Sequence, residues 1–235
     1  MWHPDTPTEY RNQIITGDMY ELSKAIPDNS IDIIFTDPPY PQEFRYTYDH
    51  LAEVAGRVLK PGAPCFVYSG NDGVPYVINA LSKHLKYRAT ISLNHSTANM
   101  VWQSRFVAGW KPIFLFHKGK WPSDAPIVFG KFSPKGADKR YHGWGQSSEE
   151  AMHYIRHHSK PGDVLLEPFT GGGATLEAAA KLGRNFIGMD VDPSAANTAR
   201  KRLNTIEHGV YAEQMELPVI EQLSYLTEFE EVVNG

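Results

Sequence analysis

The chain of 235 residues contains a single cysteine, Cys65, so a disulfide within it is excluded, and with it a stapled secreted scaffold. That scarcity fits a reducing compartment, and a cytoplasmic location is the expectation. Cys65 itself lies in the apolar run CFVY and reads as a buried strand position, not as a nucleophile. Long hydrophobic runs are missing as well. No stretch approaches the roughly 18 apolar residues of a membrane span, and the opening MWHPDTPTEYRN has no signal-peptide core, so no membrane partner is expected. Net charge is small, −4, with 41% hydrophobic and 21% charged residues, the balance of an ordinary soluble protein. At this length a single domain over 1–235, with or without an insertion, is the expected organisation.

Charge is scarce only on average. Between Lys83 and Arg140 stand eleven Lys and Arg against Asp124 and Asp138, net +9, which leaves 12 basic and 25 acidic residues, net −13, for the rest. Trp102, Phe106, Trp110, Trp121 and Phe132 are interleaved with those cations. The mixture suits phosphate contacts and base stacking; a solvated charged surface is the alternative that composition leaves open. The tail 205–235 is the reverse, with seven Glu and no Lys or Arg. No function is read from it.

Strand-like runs alternate with helix-like ones, which predicts an α/β domain with a mainly parallel sheet. QIITGD reads as a strand, MYELSKAI as a short helix and IDIIF as a second strand. Leu51, Val54, Ala55, Val58 and Leu59 then recur at i, i+3, i+4, i+7, i+8, a helical stripe. APCFVYSG follows as a strand and VPYVINALSKHL as a helix. From about Tyr87 to Trp144 the pattern is irregular, aromatic and basic, with PIFLFHKG its clearest strand. The rhythm resumes with a helix from Glu149 to His158 and the strand DVLLEPF. His153 and His157 have a metal-like H-x-x-x-H spacing, but Tyr154 stands where a metalloprotease needs Glu. They read as exposed helix histidines, and no metal is expected.

Two stretches carry chemistry. The first is FTDPPY, which ends the IDIIF strand, and the carboxyl end of a strand is where open α/β sheets place ligands. Asp37 precedes a proline and so stays extended. Pro38 and Pro39 form a stiff corner that offers carbonyl acceptors and no N–H, and Tyr40 offers a ring face. A carboxylate, a fixed carbonyl and a stacking ring can together hold a planar aromatic amine. An ordinary turn is the bland alternative.

The second stretch is LLEPFTGGGATLEAAAKLGRNFIGMDVDP. Its order is strand, glycine turn (Gly171 to Gly173), helix stopped by Gly183, strand ending at Asp190, then Asp192 and Pro193 as cap and first position of another helix. The acid at 190 falls about twenty residues past the glycines, where it can accept from ribose hydroxyls. Leu176 stands where a dinucleotide fingerprint needs its third glycine, and no P-loop Lys-Ser/Thr follows. A nucleoside without phosphates, such as S-adenosylmethionine, fits better than a dinucleotide. A glycine turn that only packs helix on strand is the alternative.

At this point the residues resemble the S-adenosylmethionine-dependent amino-methyltransferases of DNA, in the permuted (beta) group whose catalytic motif precedes the cofactor motif. IITGDMYELSKAIPDNSIDIIFTDPPY is similar to the family's catalytic block. HGWGQSSEEAMHYIRHHSKPGDVLLEPFTGGGATLEAAAKLGRNFIGMDVDP is similar to its cofactor block, with F-x-G-x-G at Phe169, Gly171 and Gly173. The resemblance implies a Rossmann-like methyltransferase sheet, circularly permuted, with a small target-recognition segment inserted at about 88–145. It implies Asp37, Pro38, Pro39 and Tyr40 as the catalytic tetrad, and S-adenosylmethionine as cofactor held by Asp18, Asp37, Gln146, Glu167, Phe169, Gly171, Gly173 and Asp190. Glu167 stands where an Asp is usual, and Gly172 and Ala174 where Ser and Thr are common.

The implied reaction is methyl transfer to the exocyclic N6 amine of a flipped-out adenine in DNA, as in restriction–modification. In the family, Asp at the first motif position mostly goes with adenine and Ser with cytosine N4, and Asp37 therefore favours adenine. Cytosine N4, RNA adenine N6, and a non-catalytic nucleic-acid-binding relative are the remaining alternatives. DNA is the expected partner, and a homodimer is compatible with the sequence.

Overall fold

The computed structural model describes residues 11–101, 105–133 and 148–206. Gln146, the acidic tail from 207 onward and part of the basic stretch lie outside them.

In chain order the elements are β1 (Gln13–Thr16), α1 (Met19–Leu22), β2 (Ile33–Thr36), α2 (Tyr46–Val58), β3 (Pro64–Tyr68), α3 (Val74–Leu81), β4 (Lys86–Val101), β5 (Phe106–His117), β6 (Lys131–Phe132), α4 (Glu149–His158), β7 (Val164–Glu167), α5 (Ala174–Lys181), β8 (Asn185–Asp190) and α6 (Pro193–Leu203). One eight-stranded sheet runs in the order β1-β8-β7-β2-β3-β5-β4-β6. The pairs β1/β8, β8/β7, β7/β2 and β2/β3 are parallel, and β5 joins β3 antiparallel. Among the described residues no helix is long and apolar enough to cross a membrane.

The sheet is covered on both faces, so its central strands β2, β3 and β7 are buried at every position and almost wholly apolar. Ile34, Cys65, Val67, Leu166 and Ile187 face α2 and α3, and the helical stripe of Leu51, Val54, Ala55 and Val58 packs with them. Ile33, Phe35, Phe66, Leu165 and Phe186 face the opposite way, among residues of α4, α5 and α6. Cys65 is fully buried, as its apolar run predicts, and burial pushes its thiol far up.

The two chemical stretches meet at the β2–β7 seam. Ile33 pairs with Leu165 and Ile34 with Leu166. The backbone N–H of Val164 donates to Asp32 Oδ2 at 2.9 Å at one end of the seam. At the other end Thr36 Oγ1 donates to Glu167 Oε1 at 2.6 Å, both residues buried. Strand order reverses at this seam: β2 leads toward β3 on one side, β7 toward β8 on the other, which is the switch point where such sheets form a ligand crevice.

The middle region departs from the sequence reading. The stretch taken as irregular contains β4, a 16-residue strand, which folds back on β5 as a long hairpin. Ile91 and Leu93 are buried while Thr90 and Ser92 are not, a period of two that its polar members hide in the sequence. The hairpin outruns β3 on the side of Asp37. The Pro112 carbonyl accepts from Ser69 N–H, and the pairing continues to Val101 and Phe106 beyond the end of β3. The histidines of α4 depart as well. They are half-buried in a ring cluster, with His153 at 5.3 Å from Phe132 and 4.7 Å from His157, and His158 at 5.0 Å from Phe66. Burial lowers His153 and His158 to about 4, so both stay neutral at physiological pH.

Thr36→Val removes a donor from a buried carboxyl while keeping the shape of the side chain. It is expected to cost about 1–3 kcal/mol in urea unfolding with an unchanged m-value. Thr36→Ser, which keeps the hydroxyl, should cost less than half of that; equal losses would mean that packing, not the hydrogen bond, holds the seam.

Candidate active site

Four parallel strands, β1, β8, β7 and β2, end side by side, and each end carries a residue singled out in the sequence. After β1, Asp18 caps α1, its Oδ1 accepting from the N–H groups of Tyr20 at 3.0 Å and Glu21 at 3.2 Å. Gly17 N–H donates to the Asp190 carbonyl at 2.8 Å, which fixes the ends of β1 and β8 together. At the end of β8 the Asp190 carboxylate accepts Gly171 N–H at 2.7 Å on Oδ2 and Asp192 N–H at 2.9 Å on Oδ1. Each oxygen keeps a lone pair for a further donor, such as a hydroxyl.

The loop after β7 is shaped by its glycines. Gly173 has φ 79°, and a Cβ there would stand 2.9 Å from the Ala199 Cβ, so the residue serves both the left-handed turn and the close packing of α5 on α6. Gly171 has φ 50°, and a Cβ there would meet no atom within 4 Å among the described residues. The backbone at Gly171 therefore borders open space on its Cα side, and its N–H is held by the Asp190 carboxylate. A nucleoside needs this combination of an approachable backbone and an acidic acceptor for hydroxyls, and S-adenosylmethionine has the corresponding groups. Phe169, half-buried, is held by its N–H donating to Glu167 Oε1 at 3.1 Å. Glu167 is 2% exposed, and burial raises its carboxyl well above the usual range. Its carboxyl thus acts inside the fold, on Thr36 and Phe169.

At the end of β2 stands a charged cluster that the sequence only half reveals. Tyr40 Oη donates to Asp37 Oδ1, and burial followed by the Asp37 charge pushes the phenol well above its ordinary range. Tyr40 is therefore a neutral donor. Lys111, from β5, donates to Asp37 Oδ2 at 2.9 Å, and its side chain is 13% exposed. The same ammonium lies 4.2 Å from the centre of the Tyr68 ring and 4.8 Å from that of Tyr40. Tyr68 Oη donates in turn to Glu150 Oε1 at 3.3 Å, on the first turn of α4. Glu150 is 2% exposed, its Oε2 has no hydrogen-bond partner among the described residues, and burial raises its carboxyl to about 7.

Lys111, Tyr68 and Glu150 were not singled out from the sequence. The one signal that could have pointed to Lys111 is a lone charge ahead of an otherwise apolar strand, WKPIFLFH. The basic stretch is also less uniform than its count suggests. Lys111 is turned inward, Lys118 is tied to Asn29 and the Arg57 carbonyl, and Lys83 pairs with Asp49. Lys86 is level with His117 and Pro64, at the opposite end of the sheet from Asp37. Phe106 and Val107, 46% and 54% exposed, lie in the hairpin extension on the Asp37 side, next to Arg105.

The family model described as DNA methylase matches residues 133–201. Among curated relatives, the chain is 25% identical to Type II methyltransferase M.HinfI of Haemophilus influenzae, over 85% of this chain and 70% of that protein. It is 24% identical to DNA adenine methyltransferase YhdJ of Escherichia coli K12, over 86% of this chain and 87% of that protein. Among solved structures, the M1.HpyAVI–SAM complex shares the fold with a TM-score of 0.67 at 24% identity, over 82% of this chain and 98% of that one.

The raised Glu150 carboxyl has a measurable consequence. Between an ordinary carboxyl value near 4.5 and the folded value of about 7, the native state keeps a proton that the unfolded chain has released. Stability therefore falls as pH rises through this window and levels off above it. Glu150→Gln should gain about 2–3 kcal/mol over the wild type at pH 8 and little at pH 5, read by urea unfolding at both values. An equal effect at the two pH values would remove Glu150 as the titrating group.

Proposed function

We infer that this chain is a DNA amino-methyltransferase, and that its reaction is transfer of a methyl group from S-adenosylmethionine to the N6 amine of an adenine turned out of the helix. The observation that carries the reading is the junction of two distant motifs. Asp37 follows β2, the glycine loop follows β7, and those strands are neighbours in the sheet with Thr36 bonded to Glu167. The sequence likeness to a Type II methyltransferase and to a methyltransferase named for DNA adenine supports the substrate class.

In this reading Phe169, Gly171 and Gly173 line the cofactor, Asp190 accepts from its ribose hydroxyls, and Asp18 approaches the adenine end. Glu167 contributes by fixing Phe169, and Gln146 is carried over on the resemblance. The cofactor, when bound, supplies a methyl group on a sulfonium, which makes an excellent leaving group. The protein's part is to improve and align the nucleophile. An aromatic amine is a weak nucleophile because its lone pair is conjugated with the ring. Asp37, accepting an N–H, favours the tetrahedral, positively charged nitrogen that develops as the new bond forms. A charge-assisted hydrogen bond of roughly 1.5–3 kcal/mol is a useful share of the barrier, and holding nitrogen and methyl in line supplies more. The Pro38 carbonyl is the second acceptor, and Tyr40 orients Asp37 through its hydroxyl. The proton lost by the methylated amine leaves by way of Asp37 to solvent. Residues 88–145 carry target recognition in this reading, with the hairpin extension beyond β3 as the part closest to the Asp37 edge.

Incubation with DNA and S-adenosylmethionine, followed by digestion to nucleosides and mass spectrometry, is expected to yield N6-methyldeoxyadenosine. N4-methyldeoxycytidine instead would overturn the choice of base. Asp37→Ala should lower transfer by at least about 100-fold while isothermal titration shows cofactor affinity within a few-fold of the wild type. Normal turnover in that variant would refute the role given to Asp37.

A further inference from the structure

We propose that Lys111 is a resident cation that occupies the amine-binding corner of the site before a base arrives, and that its displacement makes the site select bases bearing an exocyclic amine. The inference rests on the assignment of Asp37 as the acceptor for the target amine, and goes beyond it.

A carboxylate at 2.9 Å and two tyrosine rings at 4.2 and 4.8 Å form a cation site of recognisable chemistry. It is the same chemistry that would receive an amine gaining positive charge. In the structure the Lys111 ammonium is already there. It covers the Asp37 oxygen not used by Tyr40, and it lies against the ring proposed to stack on the base. The remaining surroundings of that ring are close too, since a Cβ added at Gly70 would stand 3.7 Å from two carbons of Tyr40. A flipped base therefore competes with Lys111 for both contacts.

The competition is selective. An exocyclic amine brings a hydrogen-bond donor that can replace the ammonium at Asp37. A keto oxygen in the same place brings only an acceptor, which faces a carboxylate and cannot replace the ammonium. The fold also offers the displaced ammonium a second carboxyl, buried and protonated at rest, which an approaching cation favours in its ionised form. Glu150 is bonded to the hydroxyl of Tyr68, over whose ring the ammonium sits, and its buried Oε2 lacks a hydrogen-bond partner among the described residues. Lys111 is among the charges acting on the Glu150 carboxyl. A shift from Asp37 toward Glu150 keeps the cation paired while it clears the acceptor.

The test uses duplexes built on the methylated site identified in DNA treated with the wild-type protein, carrying adenine or hypoxanthine at the target position. Affinities are measured with sinefungin present as an unreactive cofactor analogue. The wild type should prefer adenine at least tenfold. Lys111→Met should bind the hypoxanthine duplex several-fold more tightly and narrow the preference to threefold or less, with sinefungin affinity unchanged. Lys111→Arg, which keeps a cation, should retain most of the preference. An unchanged preference in Lys111→Met overturns the proposal. A second measurement needs no variant that might misfold other than for assignment: in wild-type protein labelled with 13C at lysine Cε, the Lys111 signal, displaced by two rings, should move toward the free value with the adenine duplex and stay with hypoxanthine. A signal that stays with both overturns the proposal equally. Failure of the wild type to methylate any DNA would instead strike the functional reading beneath it.

Discussion

The arrangement depends on one seam. Strands β2 and β7 come from opposite halves of the chain, and Thr36 and Glu167 stand 131 residues apart. Pairing them in parallel places the end of β2 beside the glycine loop. Register decides whether the result is usable. A slip of one residue would turn Ile33, Phe35 and Leu165 to the other face and rotate Asp37 away from the loop. Two hydrogen bonds fix it, Val164 N–H to Asp32 at the start and Thr36 to Glu167 at the end. Burial of the acid costs stability unless its acceptors are used. That cost makes the second bond a sensor of register, because in a slipped pairing the carboxyl would be buried without its donor.

The electrostatics of the cluster follow from the same geometry. Glu167 and Glu150 are both buried and both held above the ordinary carboxylate range by desolvation. Asp37 differs from them in carrying a direct cation, Lys111. Acids in one small region thus experience different surroundings: one inside the seam, one beneath Tyr68, one at the corner with an ammonium on it. In the proposed function only the last meets the substrate amine. The neighbouring phenols stay protonated, so they orient charge without adding to it.

Much of this was legible in the sequence, for local reasons. The helix stop at Gly183, the cap at Asp192 and the positive φ at Gly171 and Gly173 are properties of one or two residues and their neighbours. The central strands announce themselves because both faces are covered and their runs are apolar up to the closing Thr36 and Glu167. The β4–β5 hairpin was hidden because β4 has one buried face, and its outward Ser, Asn and Thr resemble loop composition. Lys111 was hidden for a different reason. Its meaning comes from Asp37, 74 residues away, and from Tyr68 and Glu150 on two further elements. No spacing rule along the chain connects four residues that meet only through the sheet order. The α4 histidines were misread on the same grounds, since the rings that bury them come from Phe66, Phe129 and Phe132.

The hairpin also changes what the basic stretch can do. Counted along the chain, its cations look like one patch, but the sheet separates them. Lys86 lies at the end of β5 and β3 remote from Asp37, and Lys118 is tied to Asn29 next to the start of β2. In the proposed function a duplex presenting a base to Asp37 lies along the opposite edge, where the hairpin extension brings Arg105 with exposed Phe106 and Val107. Among the described residues of that extension, Arg105 stands beside prominent apolar surface. In the proposed function this apolar surface serves shape and contacts to bases, and Arg105 serves contacts to phosphate. The remote cations are left to act through the long-range field, which raises encounter with a polyanion without fixing where it lands.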